Sequence, residues 1–110
     1  MIIPPQPWKP ADATKAINDI AKNLQCNFAF ARHVVERLKE RNLIMSDLIF
    51  VLRKGFVYED PKDSTVKGVY KYKVEGQSPN SGSRYLRVVV VPDVKSCQLK
   101  AITIMWRDER

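Results

Sequence analysis

Residues 46–58, Ser46-Asp47-Leu48-Ile49-Phe50-Val51-Leu52-Arg53-Lys54-Gly55-Phe56-Val57-Tyr58, contain the point at which the hydrophobic period of the chain changes. Up to Lys54 the apolar positions suit a helix of about 3.6 residues per turn, with Ser46-Asp47 placed to cap its start and Gly55 to stop it. Beyond Gly55 the period becomes about two, which is the period of a strand. Phe56-Val57-Tyr58 predicts a short strand. Residues 69–75 set Tyr70, Tyr72 and Val74 against Lys71, Lys73 and Glu75, a strand with one apolar and one charged face. Residues 78–83, Ser-Pro-Asn-Ser-Gly-Ser, are a turn-rich connection. Residues 85–91, Tyr-Leu-Arg-Val-Val-Val-Val, are β-branched and apolar enough for a central strand that Pro92-Asp93 ends, and residues 99–106 predict one more.

The residues before Ser46 read as helix. Residues 1–10 carry four of the seven prolines and predict an extended arm pinned by Trp8. Pro10 suits a first helical turn, and Ile17, Ile20, Ala21 and Leu24 recur at helical spacing, so residues 11–24 predict an amphipathic helix. A break follows between Asn23 and Asn27. A second helix, about 30–41, turns Val34, Leu38 and Val35 inward, and Asn42 suits the left-handed position after its end. The expected fold is therefore α+β: amino-terminal helices over 11–54, packed on a carboxyl-terminal antiparallel sheet of three or four strands over 56–106. Leu24, Val34, Leu38, Leu52, Val88, Val90 and Ile104 are its expected core. At 110 residues the chain is one domain, 11–110, behind the arm 1–10.

A formal net charge of +7 favours a polyanionic partner, whether nucleic acid, an acidic protein or an anionic membrane surface. No apolar run approaches the roughly 20 residues that span a bilayer, and the first residues lack the pattern of a signal peptide, so a cytoplasmic protein is expected. Cys26 and Cys97 lie far apart, with no second Cys or His at ligand spacing. Both are expected to be reduced, and no metal or other cofactor is expected.

His33, the only histidine, precedes Arg37 and Arg41 at four-residue intervals. On a helix these three share a face, one imidazole able to move a proton near neutrality beside two permanent cations. Such a face suits a phosphodiester. The plainer alternative is a solvated surface on which Arg37 pairs with Glu36 or Glu40.

Several stretches together resemble the bacterial domain-of-unknown-function family 4258, whose helix carries a His-Ala-x-x-Arg-Met-x-x-Arg run. The matching stretch here is His33-Val34-Val35-Glu36-Arg37-Leu38-Lys39-Glu40-Arg41, followed by the Asp47-containing helix that ends at Leu52-Arg53-Lys54-Gly55. Tyr70-Lys71-Tyr72, Ser81-Gly82-Ser83-Arg84, Arg87 to Pro92 and Ile102-Thr103-Ile104-Met105-Trp106 continue the likeness, which covers roughly residues 28–106. Val34 stands where the family usually has Ala, and Ala31 where it often has a capping Thr. The family's layout is similar to that of the RelE and BrnT bacterial toxins (a RelE/barnase-like arrangement), which implies a metal-independent ribonuclease in which the RNA 2′-hydroxyl attacks its own phosphate.

Under that likeness His33 is the expected base or acid, Arg37, Arg84 and Arg87 hold the phosphate, and Thr103 donates to a phosphate oxygen. Arg41 and Lys71 extend the cationic surface, and Tyr85 or Trp106 stacks on a base. The implied partners are RNA and a cognate antitoxin that covers the His33, Arg37 and Arg87 face with acidic residues. Two other functions stand beside this one: a non-catalytic module that binds nucleic acid or an acidic protein, and an inhibitor of another enzyme such as a topoisomerase.

Overall fold

In the computed structural model, which describes residues 3–109, Pro10 opens helix α1 (Pro10–Lys22) and Ala13, Ala16, Ile17, Ile20 and Ala21 form its buried stripe. Leu24, expected in the core, is 93% exposed. The helix stops at Lys22, Asn23 turns to an extended conformation, and its Oδ1 accepts the Gln25 N–H, so the helical spacing that would have carried Leu24 inward has already ended. Met1, Ile2 and Arg110, the outer ends of the expected arm and domain, lie outside the described residues. Trp8 is buried against Tyr72, with ring centroids 5.2 Å apart, and its backbone N–H donates to the Tyr72 hydroxyl.

Residues 27–30 form a strand, β1 (Asn27–Phe30), where a break and then a helix were expected. Helix α2 consequently begins only at Arg32 and runs to Glu40. Val34 and Leu38 are buried, whereas Val35, expected inward, is 36% exposed: Val34 and Leu38, four residues apart, form the single face turned to the core, and Val35 lies about 100° round the helix from Val34. Asn42 takes the left-handed conformation as expected, with φ 57°. Helix α3 (Met45–Lys54) starts one residue before the expected cap. Ile44 occupies the cap position, and Asp47, three residues on, accepts the Ile44 N–H at 2.9 Å, satisfying one of the orphan donors of the first turn. Gly55 stops α3 with an extended backbone. Glycine is required there by space, since a Cβ would come 2.5 Å from the Val51 carbonyl oxygen and 2.7 Å from that of Glu75.

Strands β2 (Phe56–Val57), β3 (Lys62–Asp63), β4 (Tyr70–Gly76), β5 (Leu86–Asp93) and β6 (Gln98–Trp106) follow. The sheet has six strands in the order β1-β6-β5-β4-β2, with β3 pairing beside β2 on β4. It exceeds the expected three or four strands, and it is not wholly antiparallel: β1 runs parallel to β6, from Asn27 opposite Gln98 to Phe30 opposite Ala101. Four residues are too few for a period of two to stand out, and the partner of β1 is remote in sequence. That register also corrects the expectation for the cysteines. Cys26 and Cys97 immediately precede the paired strands, their Cα atoms lie 4.7 Å apart, and they form a disulfide. Pro92 and Asp93 extend β5 instead of ending it, because pairing with β4 stops at Val90 and only β6 lies alongside beyond that point.

Helices α1 and α3 pack on one face of the sheet over Tyr72, Val74, Leu86, Val88, Val90, Leu99 and Ile104, all fully buried. The expected core holds except at Leu24, and the expected α+β class holds, with its sheet enlarged.

Candidate nucleic-acid interface

Strand pleating sends alternate residues to the opposite face of the sheet, which carries no helix among the described residues. There the register aligns Lys73, Val89 and Thr103 in one row across β4, β5 and β6, and Glu75, Arg87 and Met105 in the next. The ladder is interrupted at one point, where a bulge between Val89 and Val90 leaves Ile102 unpaired and turns it toward the same open face. A cavity of about 260 Å³ forms here, lined by Lys62, Lys71, Lys73, Val89, Ile102 and Thr103, with Asp60 at its edge. One side is closed by the segment leading into β3. Glu59 reaches Lys73 Nζ at 3.2 Å, and that ammonium holds the Glu59 carboxyl below its ordinary range.

Helix α2 packs against β6 next to this cavity without lining it. Pairing of β1 with β6 ends at Ala101, the Ala31 N–H donates to the Ala101 carbonyl, and α2 then packs against the remainder of β6. That placement lets Arg37 Nη1 donate to Thr103 Oγ1 at 2.8 Å. The bond occupies one of the five N–H donors of a guanidinium and fixes its plane, leaving donors for an anion. His33 is exposed one helical turn before Arg37, about 6 Å along the axis.

The structure therefore joins Arg37 to Thr103, which lines one cavity with Lys71, and places His33 one turn before Arg37 on α2. The other expected residues are arranged differently. Arg41 is held by Glu109, both carboxylate oxygens lying 2.7 Å from Nη2, and this guanidinium together with the Trp106 N–H keeps the Glu109 carboxyl below its usual range. Arg87 is on the open face but its Nε donates to the buried carboxylate of Glu75 at 2.9 Å. Arg84 is paired with Asp108 at 2.8 Å and lies 4.0 Å over the Trp106 ring, so that ring face is occupied by a cation. Tyr85 is covered in the same way by Arg107.

Lys73 and Lys62 line the cavity but were not singled out. Lys73 carried a visible signal, its alternation with Tyr72 and Val74, which reads equally as a solvated face. Lys62 carried none, since β3 is two residues long and owes its position to pairing with Lys71. Among the described residues no three His, Cys, Asp or Glu side chains converge as metal ligands, and no helix is long and apolar enough to cross a membrane.

Residues 30–106, which include α2 and every residue of the cavity, match the family described as domain of unknown function (DUF4258). No curated protein and no solved structure matches the chain.

Proposed function

The chain belongs to the DUF4258 family, and we propose that it is a small basic ribonuclease of the toxin type, cleaving RNA without a metal on the surface between α2 and the open sheet face. The observation that carries this reading is the Arg37–Thr103 bond, which fixes a guanidinium one turn from His33 at a cavity lined by three lysines. A phosphodiester gripped by Arg37 lies within reach of the imidazole, while Lys71 and Lys62 hold the flanking phosphates and Lys73 joins them where a phosphate displaces Glu59.

His33 takes the proton of the 2′-hydroxyl as that oxygen attacks the adjacent phosphorus. The bond from phosphorus to the 5′-oxygen breaks, and the leaving oxygen takes a proton from water. The products are a 2′,3′-cyclic phosphate and a 5′-hydroxyl. Arg37 stabilises the charge that builds on the non-bridging oxygens, so its contribution grows toward the transition state. Thr103 serves here by orienting Arg37. The same reading places the activity in the cytoplasm and gives the protein an acidic antitoxin that covers this face, with association that slows as ionic strength rises.

End-labelled RNA, free and ribosome-bound, tests it. Wild-type protein should release fragments ending in the cyclic phosphate, and His33→Ala should lower turnover by about 10²-fold or more with the fold intact. Arg37→Ala should lower the rate more than the affinity. If neither RNA is cut, or if His33→Ala cuts as fast as wild type, the face is a binding module and not a nuclease.

A further inference from the structure

A second concavity, about 470 Å³, lies along the β2 edge of the sheet and is lined by Phe50, Phe56, Tyr58 and Tyr85 together with Glu75 and Gln77. Three of these rings are unusually open for their size: Phe50 is 39% exposed, Phe56 56% and Tyr58 58%. None is needed to fill the core, which closes beneath them on Val51, Val57 and Val74. Lys54 also lines the groove. From the aromatic rings, the polar groups among them and the adjoining phosphate surface, we propose that this groove is a subsite for an unpaired nucleobase of the same RNA strand; the inference rests on the ribonuclease reading and names how that site selects single-stranded substrate.

Register places the groove where a bound strand would reach it. Phe56 stands opposite Glu75, two residues along β4 from Lys73. With strand geometry that is about 6.7 Å along β4 and about 4.8 Å across to β2, hence about 8 Å from Lys73. A chain whose phosphate displaces Glu59 from Lys73 carries a neighbouring base to Phe56 and Tyr58. A base is flat and apolar on its faces but polar at its edge, and the groove has the same division. Its open rings, Phe50, Phe56 and Tyr58, offer stacking surfaces, while Gln77 supplies a polar group for the edge; the buried Glu75 carboxylate is already engaged by Arg87 and Arg107. Gln77 spends its amide nitrogen on the Ser83 carbonyl at 3.0 Å, which leaves the amide oxygen as an acceptor. An apolar peptide side chain would satisfy the rings and leave the Gln77 amide oxygen unanswered, and Lys54 in the groove together with the lysines of the neighbouring cavity favours a polyanion over a peptide.

The test uses the full chain carrying His33→Ala, so that RNA is bound but not cut, and a single-stranded oligoribonucleotide with one 2-aminopurine. Wild-type groove residues should quench the 2-aminopurine fluorescence by stacking. Phe56→Ala with Tyr58→Ala should abolish the quenching and weaken binding about 10-fold or more, the scale of one stacked base. An oligonucleotide abasic at that position should bind the two proteins alike, and Phe56→Trp should restore quenching. Both rings are exposed, and thermal unfolding of the double variant should match its parent. Unchanged affinity and quenching in the double variant overturn the subsite while cleavage by the native protein leaves the ribonuclease reading standing. Stacking without cleavage overturns the ribonuclease reading and keeps the subsite. A protein that binds no single-stranded RNA overturns the subsite and leaves the groove to an apolar peptide.

Discussion

Val74, Val88 and Ile104 form a row across the helix-covered face of the sheet; Lys73, Val89 and Thr103, each one residue away, form a row across the open face. The first three are completely buried, and the second three are partly accessible beside a cavity. One set of strands thus divides two tasks by parity, which the bulge at Ile102 resets along β6. The covered face holds the fold together through apolar burial, and the open face spends its side chains on charge and hydrogen bonding. Substitutions one residue apart should therefore fail in different ways.

The largest effect on folding should come from Ile104→Ala. Truncating a fully buried aliphatic side chain removes its transfer free energy and leaves a cavity, so chemical denaturation should show a loss of about 2–5 kcal/mol. A loss under about 1 kcal/mol would show that the covered face is loosely packed and that the division by parity is wrong.

Asp47 sharpens the comparison, because it is a charge buried on the helix side. Burial by itself would raise its pKa, but the Ile44 N–H and the side-chain and backbone N–H groups of Asn80 outweigh burial and hold the carboxyl below its ordinary value. It joins the start of α3 to the turn between β4 and β5. Asp47→Asn should cost about 1–3 kcal/mol by leaving donors unpaired. The sign with pH follows from the lowered folded value. The contribution of Asp47 is fully present above the unfolded pKa of about 3.9 and is lost as pH falls through the lower folded pKa. Wild-type stability measured from pH 5 downward should therefore decline over that acid range, and the gap between wild type and Asp47→Asn should narrow. A gap that stays constant would remove Asp47 from the account.

On the open face, Thr103→Val should leave stability within about 0.5–1 kcal/mol while freeing Arg37 from its fixed plane. If the protein cleaves RNA as proposed, turnover should fall about 10-fold, the worth of one hydrogen bond to a charged group. A loss of stability as large as that of Ile104→Ala, with activity per folded molecule unchanged, would reverse the assignment of the two faces.

Much of this arrangement was legible in short stretches. The change of period at Gly55, the alternation of Lys71, Tyr72, Lys73 and Val74, and the helical spacing of His33 and Arg37 are all local patterns, and each has its expected structural counterpart. The candidate site was legible only as a set of residue types. Arg37 and Thr103 were both singled out, yet their bond joins residues 66 apart in sequence. Arg41, Arg84 and Arg87 looked equally free until the structure set Glu109, Asp108 and Glu75 beside them.

The amino-acid order by itself determined the three helices, the strands β2, β4, β5 and β6 and which side of the longer strands is apolar, because propensity and periodicity act between residues a few positions apart. Only the tertiary structure decided that β1 would join the sheet in parallel, that Cys26 would meet Cys97 across 71 residues, and which arginines would remain open to an anion. Those outcomes depend on remote partners, and a cation on a sequence carries no mark of the carboxylate that folding will place against it.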